Sequence, residues 1–130
     1  MDRTIDMAKT NEYTSTMFGR RCYFPDINSR NHAIRSFNER AAINAPIQGS
    51  AADIIKRAMI KIYDAIELEK LRSKMILQIH DELVFEVPID EVEIMKSLVT
   101  ENMENATKPL MNFSVPLKID MSISNSWDQA

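Results

Sequence analysis

The segment MILQIHDELVFEVP, residues 75–88, places three ionisable side chains in a row between two runs of strand-forming residues. His80, Asp81 and Glu82 stand at its centre, where a hairpin turn is expected. A carboxylate held at the end of a strand is a good ligand for Mg²⁺, which prefers oxygen donors and keeps several waters. Neighbours in a regular strand point to opposite faces, so one turn supplies one good metal ligand and one helper. The alternative is an exposed polar turn that binds nothing.

The turn also lacks glycine. The favoured two-residue hairpin turns need positive φ and commonly use Asn-Gly or Asp-Gly. A chain that forgoes glycine here keeps its side chains for another purpose, although a four-residue type I connection tolerates the sequence. The flanking strands are apolar on both faces, so we expect them to be buried. Burial would set Asp81 and Glu82 at the rim of a packed sheet.

Charge is distributed unevenly along the 130 residues. Residues 1–74 hold 13 Lys and Arg against 9 Asp and Glu, residues 75–130 hold 3 against 10, and the formal net charge is −3. This asymmetry fits a protein that contacts an anion with one part and a cation with another, and it equally fits an unevenly charged solvated surface. The single cysteine, Cys22, excludes an internal disulfide and indicates a reduced, intracellular setting. No apolar run approaches the roughly 18 residues of a membrane span, so no membrane partner is expected.

Apolar spacing predicts an α+β fold in one domain, a small antiparallel sheet with helices packed on one face. Pro46 is expected to end a helix that begins near residue 30, because proline lacks a backbone donor and clashes with the preceding turn. Ser50 and Asp53 then resemble a capping box that opens the next helix. The predicted elements are helices over 2–10, about 30–44, 50–71 and 88–107, hairpins over 12–24 and 75–88, and a strand over 116–123.

Two of these segments together resemble a known protein family. ERAAINAPIQGSAADIIKRAMI, residues 39–60, and QIHDELVFEVP, residues 78–88, are similar to the C-terminal palm region of family A DNA polymerases, the bacterial DNA polymerase I type. The second segment carries the His-Asp-Glu of that family's motif C. The similarity extends from GRRCYFPDI, residues 19–27, to the closing NSWDQA, so it covers nearly the whole chain.

The resemblance implies a role for each residue of the turn. Asp81 would be the catalytic carboxylate of motif C that binds a pair of Mg²⁺ ions, Glu82 would support the site, and His80 would lie near the primer terminus. Two metals roughly 4 Å apart serve phosphoryl transfer by activating the attacking oxygen and steadying the leaving oxygen. The chain would then be part of a DNA-directed DNA polymerase, which transfers deoxynucleotides to a primer 3′-end in replication and repair.

Arg40, Asn44 and Gln48 match family positions that contact primer and template DNA. Every Watson–Crick pair presents acceptors in the minor groove, so these donors can test pair shape without reading sequence. Arg40 and Asn44 stand one helical turn apart, whereas Gln48 would follow the break at Pro46 and converge from a loop or from the next helix. Without the resemblance, a solvated helix face and a capping loop explain the three residues equally well.

The chain departs from the family in several respects. The earlier family motif of the type DYSQIE, which holds the other catalytic aspartate, and the fingers helix that binds the incoming nucleotide have no match in these residues. Residues 1–130 are therefore interpreted as a single C-terminal palm fragment that is inactive alone. Glu12 stands where the family often has glycine, and Phe18 where a small polar turn residue is usual.

Partners and alternatives follow from the same interpretation. Primer–template DNA and dNTP would be partners of the parent protein in the cytoplasm, at the nucleoid, and Arg20 and Arg21 are candidate phosphate contacts. Loss of a neighbouring palm strand would leave a bare sheet edge and allow self-association. The alternative is a non-catalytic polymerase-derived module that binds DNA or a protein. A stand-alone metal-dependent phosphohydrolase is disfavoured, because no second carboxylate cluster at ligand spacing appears.

Overall fold

A computed structural model describes residues 2–108 and 118–126. The elements in chain order are α1 (Asp2–Asn11), β1 (Tyr13–Ser15), β2 (Arg21–Tyr23), α2 (His32–Leu68), β3 (Lys74–Ile79), β4 (Glu82–Glu86), a 3₁₀ turn (Ile89–Glu91) and α3 (Val92–Glu104). Within the described residues, β1 pairs with β2 and β3 with β4 in two separate antiparallel sheets. The predicted α+β class is confirmed, with two hairpins in place of one sheet. No helix of this described part is long and apolar enough to cross a membrane.

The chain divides into two compact units, Met1–Ile54 and Ile55–Ala130. In the first unit, α1 leads into the β1–β2 hairpin through Glu12, whose φ of 62° lies in the region that glycine adopts freely. The Glu12 N–H donates to the Ala8 carbonyl at 2.7 Å, and the Glu12 carbonyl accepts from the Phe24 N–H at 2.7 Å. The non-glycine residue thus leaves the predicted hairpin intact. The core of this unit consists of Ala8, Ile27 and Ala42, with Phe24 packed against them.

A single helix, α2, replaces the two helices predicted on either side of Pro46. It begins at His32, where the Asn31 Oδ1 atom accepts from the backbone N–H groups of Ala33 at 2.9 Å and Ile34 at 3.3 Å. A side-chain oxygen in this place satisfies donors that the first helical turn leaves unpaired. Pro46 lies inside the helix, so the prediction that it ends a helix is wrong.

The continuation of α2 through Pro46 has a tertiary cause. A proline in a helix interior costs about 3 kcal/mol or more. Ala42, one turn before it, is fully buried, and Ser50, one turn after it, is 8% exposed and accepts from the Met17 backbone N–H. These contacts hold the helix on both sides of the proline and outweigh its local cost. Ser50 is a mid-helix residue, so the predicted capping box is also wrong.

In the second unit, α2 ends in a Schellman motif. Lys70 has a φ of 54°, its N–H donates to the Glu67 carbonyl at 3.2 Å, and the Leu71 N–H donates to the Ile66 carbonyl at 3.1 Å. Leu71 then packs against the core of this unit. The core consists of Ile62, Ile66, Met95, Leu98 and Val99. Helical spacing of apolar residues predicts a buried face of α3 at Val92, Met95, Leu98, Val99 and Met103, and the structure confirms Met95, Leu98 and Val99 as buried.

One face of the β3–β4 hairpin covers this core. The residues that pack against it are Met75, Leu83, Phe85 and Val87. A β-bulge between Met75 and Leu77 inserts Ile76, and Ile76 and Leu77 stay 55% and 39% exposed. The expectation that both faces of these strands are buried is wrong in the described part of the chain, because the helical layer covers one face. Self-association through the sheet edge stays a prediction.

The strand predicted over residues 116–123 does not appear in its described part. Residues 116 and 117 lie outside the described residues, and residues 118–126 contain no strand. Ile119 packs against the core of the second unit. The apolar alternation of this segment is therefore explained at Ile119 by packing and not by strand pairing.

Candidate nucleic-acid groove and metal-binding turn

Arg40, Asn44 and Gln48 lie on one face of α2 because the helix continues through Pro46. They are four residues apart, so they stand on successive turns of the helix. All three are exposed and line one open groove of about 580 Å³. The structure brings the three predicted donors together, but the prediction that Gln48 converges from a loop or from a second helix is wrong.

The β1–β2 hairpin supplies a second wall of this groove. Cys22, Tyr23 and Phe24 line it, and the small residues Ala41 and Ala45 lie between the polar positions of α2. No acidic side chain of the described residues lines the groove. Within the described part of the chain, the Arg40 guanidinium forms no ion pair or hydrogen bond, so its donors are available to a ligand. The groove therefore suits an anionic or acceptor-rich ligand.

The turn of the β1–β2 hairpin is bonded to the side of α2. Arg20 Nε donates to Asp53 Oδ1 at 2.8 Å, Arg20 Nη2 donates to the Gly49 carbonyl at 3.3 Å, and the Met17 N–H donates to Ser50 Oγ at 2.9 Å. The hydrogen bond to Asp53 raises the pKa of the Arg20 guanidinium. Because the chain itself holds this guanidinium, the structure gives no support to Arg20 as a phosphate contact. These bonds set the position of β2 and so of the groove wall.

Gly49 is the place where this turn and α2 come closest. A Cβ atom on Gly49 would lie 2.7 Å from Thr16 Cγ2 and 3.3 Å from Arg20 Nη2. Thr16 is 5% exposed and cannot move aside freely. The sequence pattern assigned Ser50 and Asp53 to a helix start. It did not show that both side chains accept hydrogen bonds from the turn of the β1–β2 hairpin. The signal was present, since glycine, serine and aspartate share one side of the helix at this spacing.

Arg21 lies at the start of β2, among aromatic rings. Its guanidinium carbon is 4.3 Å from the centroid of the Tyr13 ring, and the Tyr13 and Tyr23 rings are 5.7 Å apart. A hydrogen bond with Tyr23 raises the pKa of Arg21. Among the described residues the partners of Arg21 are aromatic and not acidic, so it stays a candidate phosphate contact.

His80 and Asp81 form a two-residue turn between β3 and β4. Ile79 pairs with Glu82, which makes Glu82 the first residue of β4 and excludes the four-residue connection. His80 has a φ of 53°, the positive value that two-residue hairpin turns require and that glycine usually supplies. The Gln78 side-chain amide donates to the His80 carbonyl at 3.2 Å.

The Asp81 and Glu82 side chains are exposed at this turn. Neither carboxylate forms an ion pair or a hydrogen bond with another described residue. The turn offers the oxygen donors that Mg²⁺ prefers. Over residues 2–108 and 118–126, however, no group of three or more His, Cys, Asp or Glu side chains is placed to hold a metal ion. The donor chemistry thus fits a contribution to a metal site and not a complete one.

Glu91 fixes the base of the same hairpin. Its carboxylate accepts from the backbone N–H groups of Arg72 at 3.0 Å and Ser73 at 2.9 Å, and from the Ser73 hydroxyl at 2.7 Å. The backbone hydrogen bond from Arg72, followed by that of the Ser73 hydroxyl, lowers the pKa of Glu91 below its ordinary value. Glu91 is only 8% exposed, and Ser73 immediately precedes β3. Sequence reasoning missed this residue because its partners are distant in the chain.

Comparison with known proteins gives one consistent result. The family model of DNA polymerase family A matches residues 1–129. The chain is 52% identical over 132 residues to DNA polymerase I of Rhizobium leguminosarum, covering 100% of this chain and 13% of that protein. It is 47% identical over 130 residues to DNA polymerase I of Bacillus subtilis (strain 168), covering 100% of this chain and 14% of that protein.

A solved structure shares the fold. The POL domain of Pol1 from M. smegmatis, in complex with DNA primer-template and dNTP, superposes with a TM-score of 0.92 at 48% sequence identity. The match covers 99% of this chain and 22% of that chain. The present chain thus spans 13% to 14% of the length of the two curated relatives and about a fifth of the solved one.

Proposed function

Because the chain belongs to DNA polymerase family A, we propose that it is the C-terminal palm portion of a DNA-directed DNA polymerase. In this role it holds the primer–template duplex in the groove of α2 and contributes Asp81 to a metal site. The proposal rests on the observation that Arg40, Asn44 and Gln48 lie on successive turns of one helix and line the same groove.

The groove chemistry supports binding of the minor-groove edge of a duplex. Arg40, Asn44 and Gln48 all present N–H donors, and each Watson–Crick pair offers acceptors at that edge. Successive helical turns are about 5.4 Å apart, more than the ~3.4 Å step between base pairs, so the three donors reach different pairs. Contacts to acceptors that all pairs share are independent of sequence, as an enzyme that copies any template requires.

The His-Asp-Glu turn supports the second part of the proposal. Asp81 is the metal ligand, the metal is Mg²⁺, Glu82 supports the site and His80 lies near the primer terminus. Family A polymerases use divalent metals, and such a pair, when bound, supplies the Lewis-acid chemistry for attack of a primer 3′-hydroxyl on the α-phosphate of a deoxynucleoside triphosphate. The contribution of this chain is to hold an unpaired carboxylate at the tip of a hairpin whose base Glu91 fixes.

The 130-residue chain alone is expected to be inactive. It supplies one turn with carboxylates, while the second metal-binding aspartate and the nucleotide-binding helix come from other segments of the polymerase. The whole protein works with primer–template DNA and dNTP in the cytoplasm, at the nucleoid. Template-directed primer extension by the purified 130-residue chain would contradict this part of the proposal.

Occupation of the groove is tested at Cys22, the one cysteine of the chain, which is half-buried in the groove wall. In the natural polypeptide that contains these residues, bound primer–template duplex should slow alkylation of Cys22 by a maleimide. Mass spectrometry of the peptide that contains Cys22 measures the alkylation rate. Arg40→Ala should weaken duplex binding about tenfold, since a hydrogen bond from a charged group contributes about 1.5–3 kcal/mol. Arg30→Ala, an exposed arginine outside the groove lining, is the matched control.

Two outcomes would change the conclusion. Alkylation of Cys22 that is unaffected by saturating duplex would reject the groove as the binding site. Duplex binding without any primer extension by the natural polypeptide would favour the alternative, a non-catalytic module that binds DNA.

A further inference from the structure

Two large aromatic side chains are exposed in the groove. Phe37 on α2 and Tyr23 on β2 are each 65% exposed, and both line the groove beside Arg40. Aromatic rings of this size are ordinarily the residues that a fold buries first. Neither belongs to the core of the first unit. Their exposure in the groove leaves both rings accessible to a ligand.

Phe37 continues the row of polar side chains on α2. The positions of Phe37, Ala41, Asn44 and Gln48 repeat at intervals of four, three and four residues, which is the spacing of one helix face. From Phe37 to Gln48 the helix rises about 16 Å, close to the length of five base-pair steps of ~3.4 Å. Phe37 thus lies one turn before the three donors, along the direction in which a bound duplex would extend.

We propose that Phe37 and Tyr23 are DNA-contacting residues whose rings pack against the deoxyribose sugars of the bound duplex, next to the base pairs that Arg40, Asn44 and Gln48 contact. This inference rests on the function proposed above and names two contacts which that function does not assign.

The charges around the rings favour a nucleic-acid strand over an apolar peptide as the occupant. Arg40 has no acidic partner among the described residues, and Arg21 is held by the Tyr13 ring instead of by a carboxylate. Nucleic-acid strands are commonly bound by aromatic rings interleaved with cations that follow the phosphates. An apolar peptide would offer backbone carbonyls to these donors but no negative charge to pair with the Arg40 guanidinium in the groove.

The apolar character of the Phe37 ring also predicts a preference between sugars. A ribose presents its 2′-hydroxyl on the minor-groove side of a duplex. Against the Phe37 ring, which has no acceptor or donor, that hydroxyl would lose its water without gaining a partner. Phe37 is therefore expected to disfavour a ribonucleotide at the sugar that it contacts and to tolerate ribonucleotides elsewhere.

The experiment measures duplex affinity of the natural polypeptide that contains these residues. Phe37→Ala and Tyr23→Ala are each expected to raise the Kd for a DNA primer–template about fivefold to tenfold, the lower part of the range for loss of an aromatic contact to nucleic acid. Tyr63→Ala removes an aromatic side chain of α2 that is 60% exposed and does not line the groove, so it should leave the Kd unchanged. Thermal melting checks that all variants fold, and Phe37→Leu should retain part of the affinity.

A second measurement places single ribonucleotides at successive positions of either strand. The wild-type protein should show reduced affinity at one or two adjacent positions, and Phe37→Ala should abolish that reduction, which a change in folding stability would not do. Arg40→Ala separates the possible failures. If Arg40→Ala weakens binding while Phe37→Ala and Tyr23→Ala do not, the present inference is wrong. If none of the three weakens binding, the proposed function of the groove is wrong as well.

Discussion

The two hairpins of this chain are held in opposite ways. The β1–β2 hairpin is bonded to α2 at its turn, through Arg20, Ser50 and Asp53. The β3–β4 hairpin is fixed at its base by Glu91, and the carboxylates at its tip have no partner among the described residues. The first turn uses Gly19 at a φ of 87°, whereas the second uses His80 at 53°.

Under the proposed function, this difference separates a structural turn from a turn whose carboxylates bind a metal ion. A hairpin that only shapes a groove wall benefits from a turn bonded to its support. A hairpin that presents a metal ligand needs a rigid base and carboxylate oxygens that are open to the metal ion. Variants in each hairpin test this assignment, because they should separate activity from stability in opposite ways.

The largest effect is expected for Asp81→Asn. Loss of the proposed metal ligand would remove several kcal/mol of transition-state stabilisation, so primer extension by the natural polypeptide should fall at least about a thousandfold. Stability should change by less than about 0.5 kcal/mol, because the side chain is exposed and unpaired. Glu86→Gln, at the far end of β4, is the control. Normal primer extension by Asp81→Asn would remove this hairpin from the active site.

Glu91→Gln should cause the largest loss of stability among these variants, because the carboxylate accepts hydrogen bonds from four donor groups at the hairpin base. The pKa of Glu91 is lowered from its ordinary value of 4.5. Its stabilising effect is therefore fully present above that ordinary value and is lost as the pH falls through the lower folded-state pKa.

Urea unfolding between pH 3 and pH 7 measures this effect. The stability difference between wild type and Glu91→Gln should shrink as the pH falls. Glu93→Gln, whose side chain is 88% exposed, should show no such pH-dependent difference. A difference between wild type and Glu91→Gln that stays constant with pH would contradict the assigned role.

Gly49→Ala tests the contact of the first turn with α2. Overpacking at the 2.7 Å contact with Thr16 Cγ2 should cost about 1–3 kcal/mol, partly offset by the helix preference of alanine over glycine, about 1 kcal/mol. Thr16→Ser removes that methyl group and keeps the hydroxyl, so the double variant Gly49→Ala/Thr16→Ser should recover most of the stability. No recovery in thermal melts would show that the cost has another origin.

The smallest effects are expected at the two turn residues with positive φ. His80→Gly should raise stability by up to about 1 kcal/mol, because glycine adopts the left-handed conformation without strain. The stability of His80→Asn should lie between that of the wild type and that of His80→Gly. Gly19→Ala should lower stability by about 1 kcal/mol through the backbone alone, since a Cβ there meets nothing within 4 Å. Calorimetric destabilisation by His80→Gly would show that the histidine side chain itself holds the turn.

Sequence patterns were reliable where the interaction is local. Alternating strand residues identified both hairpins, and helical spacing identified the buried Met95, Leu98 and Val99 of α3. The run of His80, Asp81 and Glu82 stood out because its chemistry conflicts with its apolar surroundings. These features are decided by neighbours a few residues away, so they are visible without a fold.

Contacts between distant segments were not visible in the sequence. Pro46 carries a local penalty, which the burial of Ala42 and Ser50 overrides. Ser50 accepts its hydrogen bond from Met17, which lies 33 positions earlier in the chain. The groove residues Arg40, Asn44 and Gln48 were found through family resemblance. The sequence also placed Arg40 and Asn44 one helical turn apart, but it did not place Gln48 on the same helix. Phe37 and Tyr23 were not identified as groove residues, because an aromatic residue in a sequence ordinarily predicts a core.

Glu12 has a consequence for recognising related chains. Its backbone takes a glycine-like conformation, yet the carbonyl of Ala8 and the N–H of Phe24 hold that conformation without glycine. Glycine at this junction therefore eases the backbone conformation but is not required for it, and its presence is not a marker of polymerase chemistry. A pattern search that demands it would discard proteins in which the junction is intact.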